Sequence, residues 1–127
     1  MTNPEAQALL RIARRDLKAA EVLQIPSIDE SSWGFQIQQA VEKALKAWLF
    51  SLGEEPPLIH NLTALLQRVA DAGGDVEPFL ALEAFTVFAV QFRYDAEPEP
   101  MELDRRVWQQ RAVELVDHVE LTVRRGC

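Results

Sequence analysis

Prolines and glycines divide this 127-residue chain into five stretches, and within each stretch apolar residues recur at steps of three and four. The breaks fall at Pro26, at Gly53 with Pro56 and Pro57, at Gly73-Gly74 with Pro78, and at Pro98 with Pro100. Proline has no N–H to donate and pushes the residue before it out of the helical region, so no helix runs through these points. Helical periodicity between such breaks predicts an all-α chain with short connections.

The first helix starts at Asn3-Pro4, a capping side chain followed by proline where a missing N–H costs nothing, and Leu10, Ala13, Leu17, Ala20 and Leu23 form its apolar stripe. Arg11, Arg14, Arg15 and Lys18 turn largely elsewhere. Asp29, Ser31 or Ser32 caps a second helix, which buries Trp33, Ile37, Ala40, Ala44, Leu45 and Trp48 and ends near Leu52, with Gly53 as the residue after its cap. A third runs from the cap Asn61 through Leu62, Leu65, Leu66 and Val69 to Gly73-Gly74. From Phe79 to Phe92 a fourth carries the single charge Glu83; it is apolar almost all round and predicts cover on more than one side. The fifth spans about Met101 to Arg124, with Trp108, Ala112, Leu115, Val119 and Val123 in register. No stretch reads as a strand. These elements predict one domain over residues 1–127, an antiparallel up-and-down bundle of four to five helices.

Thirteen Lys and Arg against twenty Asp and Glu leave a net charge of −7, which excludes a surface that tracks phosphates everywhere and confines any nucleic-acid contact to a local patch. Cys127 is the only cysteine, so neither an intrachain disulfide nor a cysteine zinc site is available. No apolar run reaches membrane-spanning or signal-peptide length, and Arg124 to Cys127 is not a prenylation motif. A cytoplasmic protein without membrane contact is expected. His60 and His118 fall in different elements without a carboxylate pattern around them, and no Gly-rich phosphate loop, dinucleotide fingerprint or nucleophile elbow is present. Neither a metal nor a cofactor is expected.

Gln39, Glu42, Lys43 and Lys46 share a face of the second helix opposite its apolar stripe. One reading is a solvated face, for which the Glu42/Lys46 pair in its favoured order contributes about 0.2–0.5 kcal/mol. The other is a small site for an anionic ligand, which Arg93 as a phosphate clamp and Tyr94 as a stacking ring or hydroxyl would join. Arg93 in the last turn of the fourth helix also suits the dipole without any ligand. His60, just before Asn61, either supports the start of the third helix or fills the loop.

The string Gln38-Gln39-Ala40-Val41-Glu42-Lys43-Ala44-Leu45-Lys46-Ala47, then Gly53, Pro57-Leu58-Ile59-His60-Asn61-Leu62, Leu65-Leu66 and Arg93-Tyr94-Asp95, resembles the HEPN domain family. Ala19-Ala20 after Arg15-Asp16-Leu17 is similar to that family's first helix, and the likeness spans roughly residues 8 to 120. The resemblance implies an all-α homodimer, found beside a minimal nucleotidyltransferase in toxin-antitoxin pairs, that binds nucleotide or RNA phosphate. It also implies a recurrent histidine at His60. Many members resemble one another in a metal-independent ribonuclease motif, an arginine followed after four to six residues by a histidine. Arg93 stands where that arginine belongs, but residues 95 to 100 contain no histidine. Arg111 and His118, with six residues between them, match formally in the last helix and would lie on nearly one face, about 10.5 Å apart along the axis.

Overall fold

The structure, a computed structural model, describes residues 3–94, 96, 97 and 99–125, with residues 91–93 described by backbone only. Its elements are α1 (Pro4–Val22), α2 (Glu30–Ser51), α3 (Leu62–Asp71), a 3₁₀ segment (Glu77–Val87), α4 (Phe88–Tyr94) and α5 (Arg105–Arg125). Among the described residues there is no strand, and no helix is long and apolar enough to cross a membrane. The chain is the expected all-helical bundle.

Local chemistry places the starts of α1 and α3 and the ends of α2 and α3 where the sequence puts them. Asn3 Oδ1 accepts from the Ala6 amide at 3.1 Å with Pro4 in the first turn, and Asn61 Oδ1 accepts from the Ala64 amide at 3.0 Å. Thr86 Oγ1 takes a further free donor of α3, the Leu62 amide, at 3.0 Å. α2 and α3 both end in paired bonds from the two residues after the cap, Gly53 to Phe50 with Glu54 to Leu49, and Gly73 to Ala70 with Gly74 to Val69. Gly53 and Gly73 have φ of 81° and 103°, a left-handed turn that glycine adopts without a Cβ penalty.

α2 is the axis of the molecule. α1 and α5 pack against one side of it; α3, the 3₁₀ segment and α4 cover the other. Trp33, Ile37, Val41, Leu45, Trp48 and Leu49 are all buried, and between the helix ends a narrow stripe through Phe35, Gln36, Gln39, Lys43, Lys46 and Phe50 reaches partial exposure. A Cβ on Gly34 would lie 2.5 Å from the Phe88 ring, so this position lets α4 approach the α2 backbone.

The fourth helix departs from expectation. Residues 77–87 wind as 3₁₀, and only Phe88–Tyr94 is α-helical. The reason lies in the spacing of the buried residues: Phe79, Leu82, Phe85 and Phe88 stand at steps of three. Nine residues make three full turns of a 3₁₀ helix but about 2.5 turns of an α-helix, which would throw Phe79 and Phe88 to opposite sides. The tighter winding aligns all four on one face, where Phe85 meets Trp33 edge-on at 5.5 Å and Phe79 meets Trp48 at 6.0 Å. The segment is therefore covered on one side only, and Leu80, Val87 and Val90 remain exposed.

The last helix starts four residues later than its apolar pattern suggests. The amides of Met101 and Leu103 donate to the Glu30 carboxylate at 2.6 and 2.9 Å, Glu102 turns at φ 56°, and Asp104 caps α5 through the Val107 amide. Asp29 stands at the cap of α2 without a side-chain bond. Two side chains of α5 then fasten distant backbone. Arg105 donates to the carbonyls of Leu23, Ile25 and Ile28, and Gln109 accepts from Trp33 Nε1 at 3.2 Å while donating to the Leu17 carbonyl at 2.9 Å.

Candidate functional site

The polar residues of α2 do not form a solvated face. Glu42 is 1% exposed, and each of its oxygens holds two neighbours. Oε1 accepts from Gln38 Nε2 and meets His60 Nδ1, both at 3.0 Å; Oε2 accepts from Lys46 Nζ at 3.1 Å and faces Lys43 Nζ at 3.6 Å. Lys43 donates to Gln39 Oε1 at 3.0 Å, and Gln39 Nε2 to Gln38 Oε1 at 2.7 Å. Lys43, Gln39, Gln38 and Glu42 thus close a ring in which each donor faces the next acceptor. Gln38 also reaches the His60 carbonyl at 3.2 Å, so the ring holds the α2–α3 connection from two points.

Burial alone pushes the Glu42 carboxyl upward. The charge of Lys43 and hydrogen bonds from Gln38, His60 and Lys46 outweigh it and hold Glu42 below the ordinary glutamate range. Glu42 is therefore an acceptor at neutral pH. It follows that His60 Nδ1 carries the hydrogen toward it, and the other ring nitrogen, Nε2, is left without a hydrogen bond to any described residue. The His60 side chain is 66% exposed. Asp16 of α1 borders the same cluster: burial raises its carboxyl and the Glu42 charge adds to this, against Lys43 and Arg15, which lower it.

Of the residues singled out by sequence, Gln39, Glu42, Lys43, Lys46 and His60 come together. Arg93 is described by backbone only, so its side chain, like Cys127, lies outside the described residues. Tyr94 ends α4 at 80% exposure and makes no hydrogen bond to a described residue. Arg111 and His118 belong to different surroundings. His118 lies against Trp48 and Phe79, ring centroids 5.0 and 5.3 Å away, whereas the Arg111 guanidinium stacks on Trp108 at 4.7 Å. His118 is a packing residue. Gln38 and Asp16 were not singled out as site residues: Gln38 sits next to the buried stripe and reads as core, and Asp16 is brought in by α1 packing, which leaves no local mark.

Chemically, the cluster offers one oriented imidazole and two partly exposed ammonium groups, Lys43 the more open, all positioned by a single buried carboxylate. Among the described residues no group of three or more His, Cys, Asp or Glu is arranged to hold a metal. Neither a curated protein nor a solved structure matches the chain. A family model does, and its match over residues 6–124 reaches into every helix and takes in the whole Glu42 cluster, so the chain belongs to the HEPN domain family.

Proposed function

We propose that this protein is a dimeric nucleotide- or RNA-phosphate-binding and partner-binding component of a two-protein, toxin-antitoxin-like system whose second member is a minimal nucleotidyltransferase. Membership of the HEPN family supports a nucleotide- or RNA-related role in general. The observation that carries the ligand side is the His60 ring, pinned through Nδ1 to buried Glu42 with Nε2 exposed and Lys43 on the same carboxylate. The Lys43 ammonium, and Nε2 of the His60 ring when both ring nitrogens carry hydrogen, are donors for a phosphate, and their common anchor fixes them before the ligand arrives. Gln39 and Lys46 hold that frame rather than touch the ligand. On the partner side, a second copy would cover the exposed Leu80, Val87, Val90 and Tyr94 of the 3₁₀ segment and α4.

Titration of the isotope-labelled protein with adenosine monophosphate, followed by imidazole NMR, tests the ligand site. The expected result is a saturable shift at His60 that is lost in Lys43→Ala; an unmoved His60 resonance overturns it. Affinity purification from the native cells with intact mass measurement tests the partner, and a homodimer alone would remove the nucleotidyltransferase from the reading. The oriented Glu42–His60 pair favours a second reading, a metal-independent ribonuclease with Arg93 as its phosphate clamp, in which His60 moves a proton. Growth arrest on overexpression, relieved by Arg93→Ala, is the outcome that would select it.

A further inference from the structure

A second electropositive feature lies apart from the Glu42 cluster, on the seam between α1 and α5. A groove of about 620 Å³ runs there, rimmed by Arg14, Arg15, Lys18 and Arg106 with Leu17 and Val113 beneath. Arg14 is committed to Asp117 at 2.7 Å and Glu120 at 3.3 Å. The other three have no carboxylate in ion-pair contact among the described residues, and all three are exposed. Glu21 is the single acid lining the groove. Beyond the groove the cations alternate with acids: Arg111 lies beside Glu114, and Arg11 beside Glu120.

We propose that this groove is a docking track for the phosphate backbone of a single-stranded polynucleotide. On a chain of net charge −7 a polyanion is repelled over most of the surface, so a local row of exposed cations outside ion-pair contact concentrates it there. Guanidinium forks match phosphate oxygens two at a time. A cleft between two neighbouring helices admits one strand and not a duplex. The rim offers charge and amides, Gln24 and Gln110, without an aromatic ring, which fits backbone tracking rather than base reading. The inference stands on the groove alone and does not depend on the Glu42 site.

Fluorescence anisotropy of the full chain with a labelled uridylate dodecamer tests it. Engagement of Arg15, Lys18 and Arg106 gives a logarithmic salt slope of about −2, so the affinity falls roughly 20-fold between 50 and 200 mM salt. Arg15→Ala/Lys18→Ala/Arg106→Ala weakens binding at low salt by more than about tenfold and flattens the slope, while Arg68→Ala, on α3, changes neither. Arg106→Glu alone gives a second variant should the triple one fold poorly. The proposal is overturned if the wild type does not bind at low salt, if the groove variants bind like wild type, or if Lys43→Ala abolishes binding that the groove variants retain. Displacement of the RNA by an equal concentration of an equally long oligoglutamate would instead identify an acidic protein segment as the occupant.

Discussion

Two cationic regions of this protein are built on opposite terms. Around Glu42 every charge is answered: two lysines, an imidazole and two amides converge on one buried carboxylate or on each other. In the α1–α5 groove, Arg15, Lys18 and Arg106 lie on the surface without an ion-pair contact among the described residues. A charge whose partner comes from its own chain holds the fold together whatever else it binds, and a charge outside ion-pair contact has only a ligand to answer it. The first region therefore costs stability when altered, and the second should cost only binding.

The largest break is Glu42→Ala. It strips Gln38, His60, Lys43 and Lys46 of their common acceptor, and a destabilisation of about 3 kcal/mol is expected in urea unfolding, the low end for a broken buried pair because the lysines swing to water. Next comes the boundary between the regions, since Gln109 lines the groove yet binds Trp33 and the Leu17 carbonyl. Gln109→Leu leaves Trp33 Nε1 without its acceptor and takes the second donor from the Leu17 carbonyl, and should cost about 2 kcal/mol, read from the same unfolding curves.

A smaller effect appears with acid. Glu42 binds its proton less tightly folded than unfolded, so its contribution is fully present above its unfolded value of about 4.3 and is lost as pH falls through the folded value. Unfolding midpoints measured downward from pH 7 should fall in that window and fall less in Glu42→Gln. Asp16 has the opposite sign: its raised carboxyl contributes stability below its unfolded value and loses it as pH rises. The smallest effect sharpens the comparison most. Replacing Arg15, Lys18 and Arg106 together by alanine should change stability by no more than about 0.5 kcal/mol per site. A loss approaching that of Glu42→Ala would mean the groove is structural too.

Legibility in the sequence followed the range of the interactions. Asn3, Asn61, Gly53 and Gly73 act within a few residues of themselves, and the helix ends they set were readable. The 3₁₀ winding was not, because between Phe79 and Val90 nearly every position is apolar and a period of three is hidden beside one of 3.6. Glu42 looks the same on paper whether its pair with Lys46 is exposed or buried; only the packing of α1 and α3 around α2 decides. The cations of α1 were visible as residues turned from its stripe, but Arg106, which completes the groove, comes from the far end of the chain. Glu30, Arg105 and Gln109 make bonds across 71 to 92 residues and leave no local signal.

Arg105 also imposes an order on how the chain matures. The turn between α1 and α2 presents the carbonyls of Leu23, Ile25 and Ile28, and the side chain that collects them is 77 to 82 residues downstream. At roughly 5–20 residues per second of synthesis, that corner leaves the ribosome some 4–16 s before its latch exists. The α1–α2 hairpin is thus born with its bend open, and the last helix, on arrival, closes the first turn.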